Sequence, residues 1–309
     1  MSITVNYQDA LTHFPYIGRF ESYLTSKYPY MRMLIKRNYG TFGERWASEL
    51  EQLLEHMFGK DQTSLQQAID GYATFALDAI RLQKRFEKER KYINKTYEEA
   101  AKGVYHNENY MMSLYLPGIL LSHYLWPHHY RQKEFFEVSF LRDIQRAEEK
   151  RFWDVGIGTG FYSRLVLEKV PGSIGRGHDI SAHSKRYAER QVASFGCESR
   201  YSVILRDIVE DTPKEQTPFL ISVEVLEHLE DPQKFLHALR RMLKPGGKAF
   251  ITAAITAPNE DHIFLYNNSE EVVEQLRKAD FKLEQCLVAA AYPPKTDEPV
   301  PLIGAYIVS

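Results

Sequence analysis

Along residues 44 to 57 (ERWASELEQLLEHM) the apolar side chains Leu50, Leu53, Leu54 and Met57 recur every three or four positions, the spacing of one helix face. The same period runs over roughly 64 to 92, and Asp61 or Thr63 stands where a side-chain oxygen can cap that helix. A third stretch, MMSLYLPGILLSHYLW at 111 to 126, reads as a buried helix. Ser113, Pro117, Ser122 and His123 interrupt it, so it falls short of a bilayer span. Near residue 150 the pattern changes. Runs of β type at about 151–156, 173–179, 201–207, 219–225 and 248–255 alternate with amphipathic stretches at about 161–169, 232–243 and 269–279, and Ser181 can cap a further helix after the second run. This alternation predicts a doubly wound α/β domain. The last two runs, FKLEQCLVAAAY and PLIGAYIVS, are joined by a proline-rich loop without a helix, which predicts an antiparallel pair at the sheet edge. We therefore expect an all-helical domain over 1–147 and an α/β domain over 148–309.

Composition narrows the partners. With 309 residues and 44% hydrophobic content the chain can bury a sizeable core. Its 39 basic and 41 acidic residues leave a formal charge of only −2, so no global field draws it onto nucleic acid or anionic lipid. The charge run RLQKRFEKERK at 81 to 91 mixes both signs and reads as a solvated helix face. Cys197 and Cys286 stand far apart, giving neither a disulfide framework nor a zinc cluster, which fits a reducing cytoplasm. The start, MSITVNYQDALTHF, lacks the basic and apolar regions of a secretory leader, so the expected location is cytoplasmic.

The candidate chemistry begins at FWDVGIGTGFYS, residues 152 to 163. Alternate glycines let the chain turn sharply out of a strand and let a ligand approach the backbone closely. The dinucleotide fingerprint G-x-G-x-x-G fails in both frames, because the third glycine would fall at Phe161 or at Ser163. Asp154, just ahead of the turn, would also oppose a pyrophosphate at the following helix N-terminus. It suits a ligand with an ammonium group, such as S-adenosylmethionine (SAM). Asp179, 23 residues beyond Gly156, stands where a carboxylate can accept from both ribose hydroxyls. Asp207 and Ile208 offer an acceptor for the adenine amino group and an apolar face for its ring.

At this point the text resembles class I SAM-dependent methyltransferases of the small-molecule type. Four pieces match in order over about residues 150 to 309: FWDVGIGTG, GHDIS, EVLEHLEDP at 224 to 232 and LKPGGKAFI at 243 to 251. The resemblance implies a Rossmann-like seven-stranded sheet with its last strand antiparallel, behind an N-terminal all-helical domain. It places Asp154, Gly156, Gly158 and Gly160 at the methionine end of SAM, Asp179 with Ile180 at the ribose, Asp207 with Ile208 at the adenine, and Glu224 facing the cofactor pocket. His178 stands where this pattern usually has a smaller or apolar residue.

Methyl transfer from a sulfonium is an in-line displacement, and a hydroxyl acceptor also needs a base or a metal to take or release its proton. The candidates are His228, in the fourth-strand exit, and His262, in TAPNEDHIF after the fifth strand. If EVLEH is helical, Glu224, Glu227 and His228 share a face. With His262 they would form a divalent-metal set like the one that ubiquinone-pathway O-methyltransferases and small-RNA 2′-O-methyltransferases carry at this position. The wider family carries the same EVLEHL text without a metal, where Glu227 and His228 form a structural, solvent-facing pair, so a metal-free base, a divalent ion and a purely structural role are the three readings. For the acceptor pocket we expect the segment 105–130 of the helical domain to act as a lid, with Tyr110, His123 and Trp126 on its wall and His106, His128 and His129 beside them. A helical extension of this sort also offers a dimer surface. The leading function is methyl transfer to oxygen or nitrogen of a small metabolite, a natural-product intermediate among the options. A metal-dependent RNA 2′-O-methyltransferase and a non-enzymatic SAM-binding scaffold are the alternatives.

Overall fold

A computed structural model describes residues 12–59, 61–105, 107–294 and 299–309. His106 and the first residues of the chain, where a leader was sought, lie outside that set. Helices α1 (Pro15–Lys27), α2 (Leu34–Phe58), α3 (Gln62–Glu89) and α4 (Tyr97–Gly103) come first. A helical turn at Glu108–Tyr110 and a π-helical turn at Met111–Tyr115 then lead into α5 (Leu116–Leu125). Next come α6 (Pro127–Phe136), a π-helical turn at Glu137–Leu141 and α7 (Arg142–Arg146). The expected cap is present: the Asp61 carboxylate accepts from the Thr63 and Ser64 amides at the start of α3. Helix α2 is broken at Gly43 (φ 73°, ψ −160°), so the helix expected from residue 44 starts just after the break, and a separate helical stretch from Leu34, with Ile35 and Asn38 facing the core, precedes it. Helix α5 is buried around most of its circumference, as its uniform apolar text requires. Among the described residues no helix is long and apolar enough to cross a membrane.

The rest is β1 (Arg151–Val155), α8 (Phe161–Lys169), β2 (Ile174–Asp179), α9 (Ala182–Ser194), β3 (Tyr201–Leu205), β4 (Thr217–Ser222), α10 (Pro232–Met242), β5 (Leu243–Ile255), α11 (Ser269–Lys278), β6 (Leu283–Ala290) and β7 (Leu302–Val308). Seven strands form one sheet in the order β3-β2-β1-β4-β5-β7-β6. The first five are parallel, and β7 runs antiparallel between β5 and β6. The closing hairpin thus lies at the edge with β6 outermost.

Side chains alternate across the pleat. Phe152, Phe219, Ile221 and Phe250 point to one face, where they pack with Phe136 and Phe140 of the helical half. Their neighbours Trp153, Leu220 and Ile251 point to the other face, with Leu236 and Leu239 of α10 and Leu276 of α11. The helical half therefore serves as a covering layer of the sheet. The strand order reverses between β1 and β4, which opens a crevice outside their carboxyl ends, the place where open α/β sheets bind ligands.

Candidate functional site

A cavity of about 1610 Å³ fills that crevice and extends under the helical half. At its floor the chain leaves β1 through Gly156, Gly158 and Gly160, all at positive φ (72°, 50° and 77°). Nothing stands near a Cβ at Gly158, so its backbone is open to a ligand. Gly160 has a different task from the expected one. It does not line the cavity, and a Cβ there would come within 2.7 Å of the Ala188 Cβ, so it is small to let α8 and α9 approach.

The aspartates cluster on the same floor. Asp154 accepts from Ser163 Oγ at 2.7 Å, and burial raises its carboxyl to about 7. Asp179 accepts from the amides of Ser181 (2.8 Å) and Gly158 (3.3 Å), which ties the second strand to the glycine turn. Burial pushes it up to about 6. Asp207 accepts from the Val209 amide at 2.8 Å. Asp154, Asp179, Ile180, Asp207, Ile208 and Glu224 all line the cavity with Gly156 and Gly158. His178 lies beneath them, edge-on to Trp153. Burial first, then Arg206, lowers its imidazole to about 4 and keeps it neutral beside Asp179.

The EVLEH segment is not a helix turn with three ligands on one face. Glu224 sits at φ 53°, and Leu226–His228 form a 3-10 turn. Glu224 Oε1 accepts from Thr252 Oγ1 at 2.6 Å, and its carboxyl stands beside the remaining cluster rather than in it. Glu227 is fully buried. Its backbone carbonyl accepts from the Ile263 and Phe264 amides (2.7 and 2.9 Å), pinning the loop after β5 against this turn. That contact brings His262 to His228, with ring centroids 4.8 Å apart. Ligand atoms of Glu227, His228 and His262 lie within 4.8 Å of one another. Neither carboxylate oxygen of Glu227 has a hydrogen-bond partner. Burial and the neighbouring Glu224 charge hold its carboxyl well above the usual range.

Each imidazole is oriented through one nitrogen. His262 Nδ1 lies 2.6 Å from the Ala257 carbonyl and is its donor; burial, then His228, lowers the ring to about 3. His228 Nδ1 lies 3.2 Å from the Asp261 carbonyl and 3.3 Å from Asp261 Oδ2, so it too carries the proton and leaves Nε2 free. Asp261 is completely buried and accepts from Tyr105 (2.7 Å) and Tyr115 through the same oxygen. Burial acts to raise Asp261, but His228, His262 and the two phenols together hold it below the ordinary value. Asp261 was not singled out in the sequence, where the only hint is that it adjoins His262, whereas Tyr105 and Tyr115 lie in the 105–130 segment expected at the acceptor pocket.

The helical half supplies the upper wall. His123 and Trp126 line the cavity as expected, with Phe75, Ile80 and Ile119; the Trp126 ring stacks on Phe75 at 5.3 Å. Tyr110 does not line it. It stacks behind Tyr115 at 6.2 Å, and Tyr115 takes the place expected for it. The reason is the π-helical turn at Met111–Tyr115, which moves the following side chains off the α-helical phase. The cover over the site is also displaced from the expected segment. Residues 92–105 cross the carboxyl ends of the strands, where the Tyr92 hydroxyl donates to the Ala257 carbonyl and the Tyr97 amide to Glu230.

Residues 153–251 match the family described as a methyltransferase domain. The ubiquinone biosynthesis O-methyltransferase of Pseudomonas fluorescens (strain SBW25) is 26% identical over 172 residues, 52% of this chain and 72% of that protein. The protein of the same name from Hydrogenovibrio crunogenus (strain DSM 25203 / XCL-2) is 29% identical over 115 residues, 37% of this chain and 47% of that one. A solved structure of Haemonchus contortus phospholethanolamine N-methyltransferase 2, in complex with phosphomonomethylethanolamine and S-adenosylhomocysteine, shares the fold. Its TM-score is 0.51 and its identity 14%, over 70% of this chain and 60% of that one.

Proposed function

This chain is a class I SAM-dependent methyltransferase, and we propose that it transfers the methyl group to a hydroxyl oxygen of a predominantly apolar small molecule. The observation that carries this reading is His228 on the cavity wall with the buried Asp261 behind it. A hydroxyl is a poor nucleophile until its proton has somewhere to go. His228, with Nδ1–H directed at Asp261, offers Nε2 as the acceptor. In the transfer the S–CH₃ bond breaks as the O–CH₃ bond forms, the hydroxyl proton passes to His228 Nε2, and neutral S-adenosylhomocysteine leaves. Asp261 steadies the imidazolium that results, and the two phenols hold Asp261.

The cavity supports the size and polarity of the acceptor. A drug-sized ligand takes a pocket of about 300–1,000 Å³, so about 1610 Å³ has room for SAM and an acceptor together. Met33, Phe75, Ala76, Ile80, Ile119 and Trp126 line the helical side, and an apolar body fits them. The O-methyltransferase names of the relatives point to the same acceptor atom.

The orphaned oxygens of buried Glu227 favour a second reading. Glu227, His228 and His262 fit a divalent ion: each imidazole has Nδ1 tied to a protein oxygen and Nε2 free, as ligating histidines do. When bound, such an ion would supply Lewis-acid acidification of the acceptor hydroxyl. Glu227, His228 and His262 would hold it, and Glu224 would not.

Single-turnover transfer from labelled SAM to a panel of apolar phenols and alcohols tests both readings. Transfer that falls about 10²–10⁴-fold in His228→Gln, with SAM binding intact and no response to EDTA, supports the base. Loss in EDTA with recovery in Mg²⁺ or Mn²⁺ supports the ion. Transfer to amines but to no hydroxyl compound overturns the proposal.

A further inference from the structure

One part of the cavity wall has no role in moving a proton or a methyl group. Ser122 and His123 on α5 and His128 and His129 on α6 line the cavity from the helical half. His123 and His128 are more than nine-tenths buried, and burial lowers both to about 3, so both rings are neutral. Neither Nδ1 has a hydrogen-bond partner. A buried N–H without an acceptor is rarer than a buried lone pair without a donor. The proton therefore belongs on Nε2, and each ring meets the cavity as an N–H donor. His129 differs: its Nδ1 lies 3.1 Å from Ser122 Oγ, whose own hydrogen goes to the Ile119 carbonyl.

The position of His123 is specific. Its ring lies flat on Phe161, with centroids 4.1 Å apart and planes at 10°. Phe161 is the first residue of α8, a nine-residue helix that leaves the glycine turn. The cap residue there is Gly160, which brings no side chain to the helix end, and the Ser163 amide is turned to Asp154. Such an end attracts an anion through its free N–H groups and its dipole. The same cavity floor holds Asp154, the carboxylate matched to the ammonium of the methionine moiety. That ammonium and its carboxylate are borne by one carbon, so a cofactor seated with its ammonium at Asp154 brings its carboxylate to the adjoining helix end.

We propose that His123, stacked on Phe161 at the start of α8, donates a hydrogen bond to the α-carboxylate of the methionine moiety of SAM. The proposal rests on the SAM-dependent reading and adds a cofactor ligand from the helical half, 31 residues before Asp154 in the chain. A carboxylate on the acceptor has the same chemistry, and the probes separate the two sources. S-adenosylhomocysteine keeps the amino-acid end of the cofactor. 5′-Methylthioadenosine keeps the adenosine and the sulfur and lacks that end.

The experiment is calorimetric titration of both probes into the full chain, wild type against His123→Phe, which keeps the stack on Phe161 and removes the donor, and His123→Gln, which keeps a donor. S-adenosylhomocysteine should bind His123→Phe roughly ten- to a hundredfold more weakly, as expected for a lost hydrogen bond to a charged group. 5′-Methylthioadenosine should bind all three proteins alike, and His123→Gln should recover part of the loss. Unchanged S-adenosylhomocysteine affinity in His123→Phe overturns the proposal and leaves the acceptor as the source of any carboxylate. Equal weakening of both probes overturns it as well, because the residue then acts only through the fold. Wild-type protein that binds neither probe overturns the cofactor reading itself, a result recognisable before any variant is made.

Discussion

The helical half meets the sheet along two seams of opposite construction. In the first, Phe136 and Phe140 pack on Phe250 and Phe219, and Lys169, the last residue of α8, pairs with Glu49 and Glu137, which Lys133 and Arg45 hold within the helical half. In the second, residues 92–105 are held by hydrogen bonds of Tyr92 to Ala257, Asn94 to Glu260, Tyr97 to Glu230 and Tyr105 to Asp261, and Glu108 forms an exposed pair with Arg186. Opening the first takes Lys169 from Glu49 and Glu137 and bares the rings of Phe136 and Phe140 that pack on Phe250 and Phe219, at about 1.5–3 kcal/mol for each buried ring. Opening the second exchanges a few bonds for bonds to water, at about 0.5–1.5 kcal/mol each. A cavity enclosing both cofactor and acceptor must be firm along one side and releasable along another, and the two seams divide that work.

The largest effect tests the buried cluster that presents Glu49 and Glu137 to Lys169 at the firm seam. Lys133→Ala keeps Glu49 and Glu137 buried without their central partner and should lower stability by about 3 kcal/mol in urea unfolding. A change below about 1 kcal/mol would mean that Arg45 and Lys169 suffice and that the seams differ less than their burial suggests. Next comes the point where the releasable seam touches the chemistry. Asp261→Asn should slow methyl transfer about 10–100-fold, the usual size for a residue orienting an active imidazole, with S-adenosylhomocysteine affinity unchanged. If cofactor affinity falls equally, Asp261 holds the covering segment rather than the base.

A smaller effect comes from pH at the floor. Burial holds Asp179 at about 6 without ligand, and on the proposed reading its ionised form is the acceptor for the ribose hydroxyls. Cofactor affinity should then be full above about pH 6 and fall about tenfold per unit below it, read by calorimetry. Stability without ligand should slope the other way. Asp154, raised to about 7, and Asp179 bind protons more tightly in the fold than in the unfolded chain, where an aspartate titrates near 3.8. Lowering the pH from about 7 toward 4 should therefore stabilise the ligand-free protein through these two groups. The smallest effect concerns Tyr97, which lines the cavity with Asp179 and Asp207. Tyr97→Ala should weaken S-adenosylhomocysteine about three- to tenfold. In the wild type, amides of 92–105 should exchange hydrogen faster than those of α6, and bound S-adenosylhomocysteine should slow them. Equal exchange in both seams would remove the distinction.

The elements of the sheet were legible in the text. Helix α8 and strand β2 fall where period and glycine turn place them, and Asp61 and Ser181 cap the helices assigned to them. These features rest on contacts within about four positions, so the residues that make them stand side by side in the chain. Asp154, Asp179 and Asp207 were legible for the same reason, since the end of a parallel strand is where a side chain meets the ligand crevice. The catalytic wall was not. The i, i+3, i+4 reading of EVLEH failed because Glu224 takes a left-handed conformation and the turn that follows is 3-10. Tyr110 yielded its place to Tyr115 through a π-helical turn, and Gly160 proved to serve packing against Ala188. The Asp261 contacts with Tyr105 and Tyr115 span 156 and 146 residues. Such pairs form only when the helical layer lies over the sheet, so packing, rather than local preference, decides which tyrosine meets which carboxylate and which glutamate loses its water.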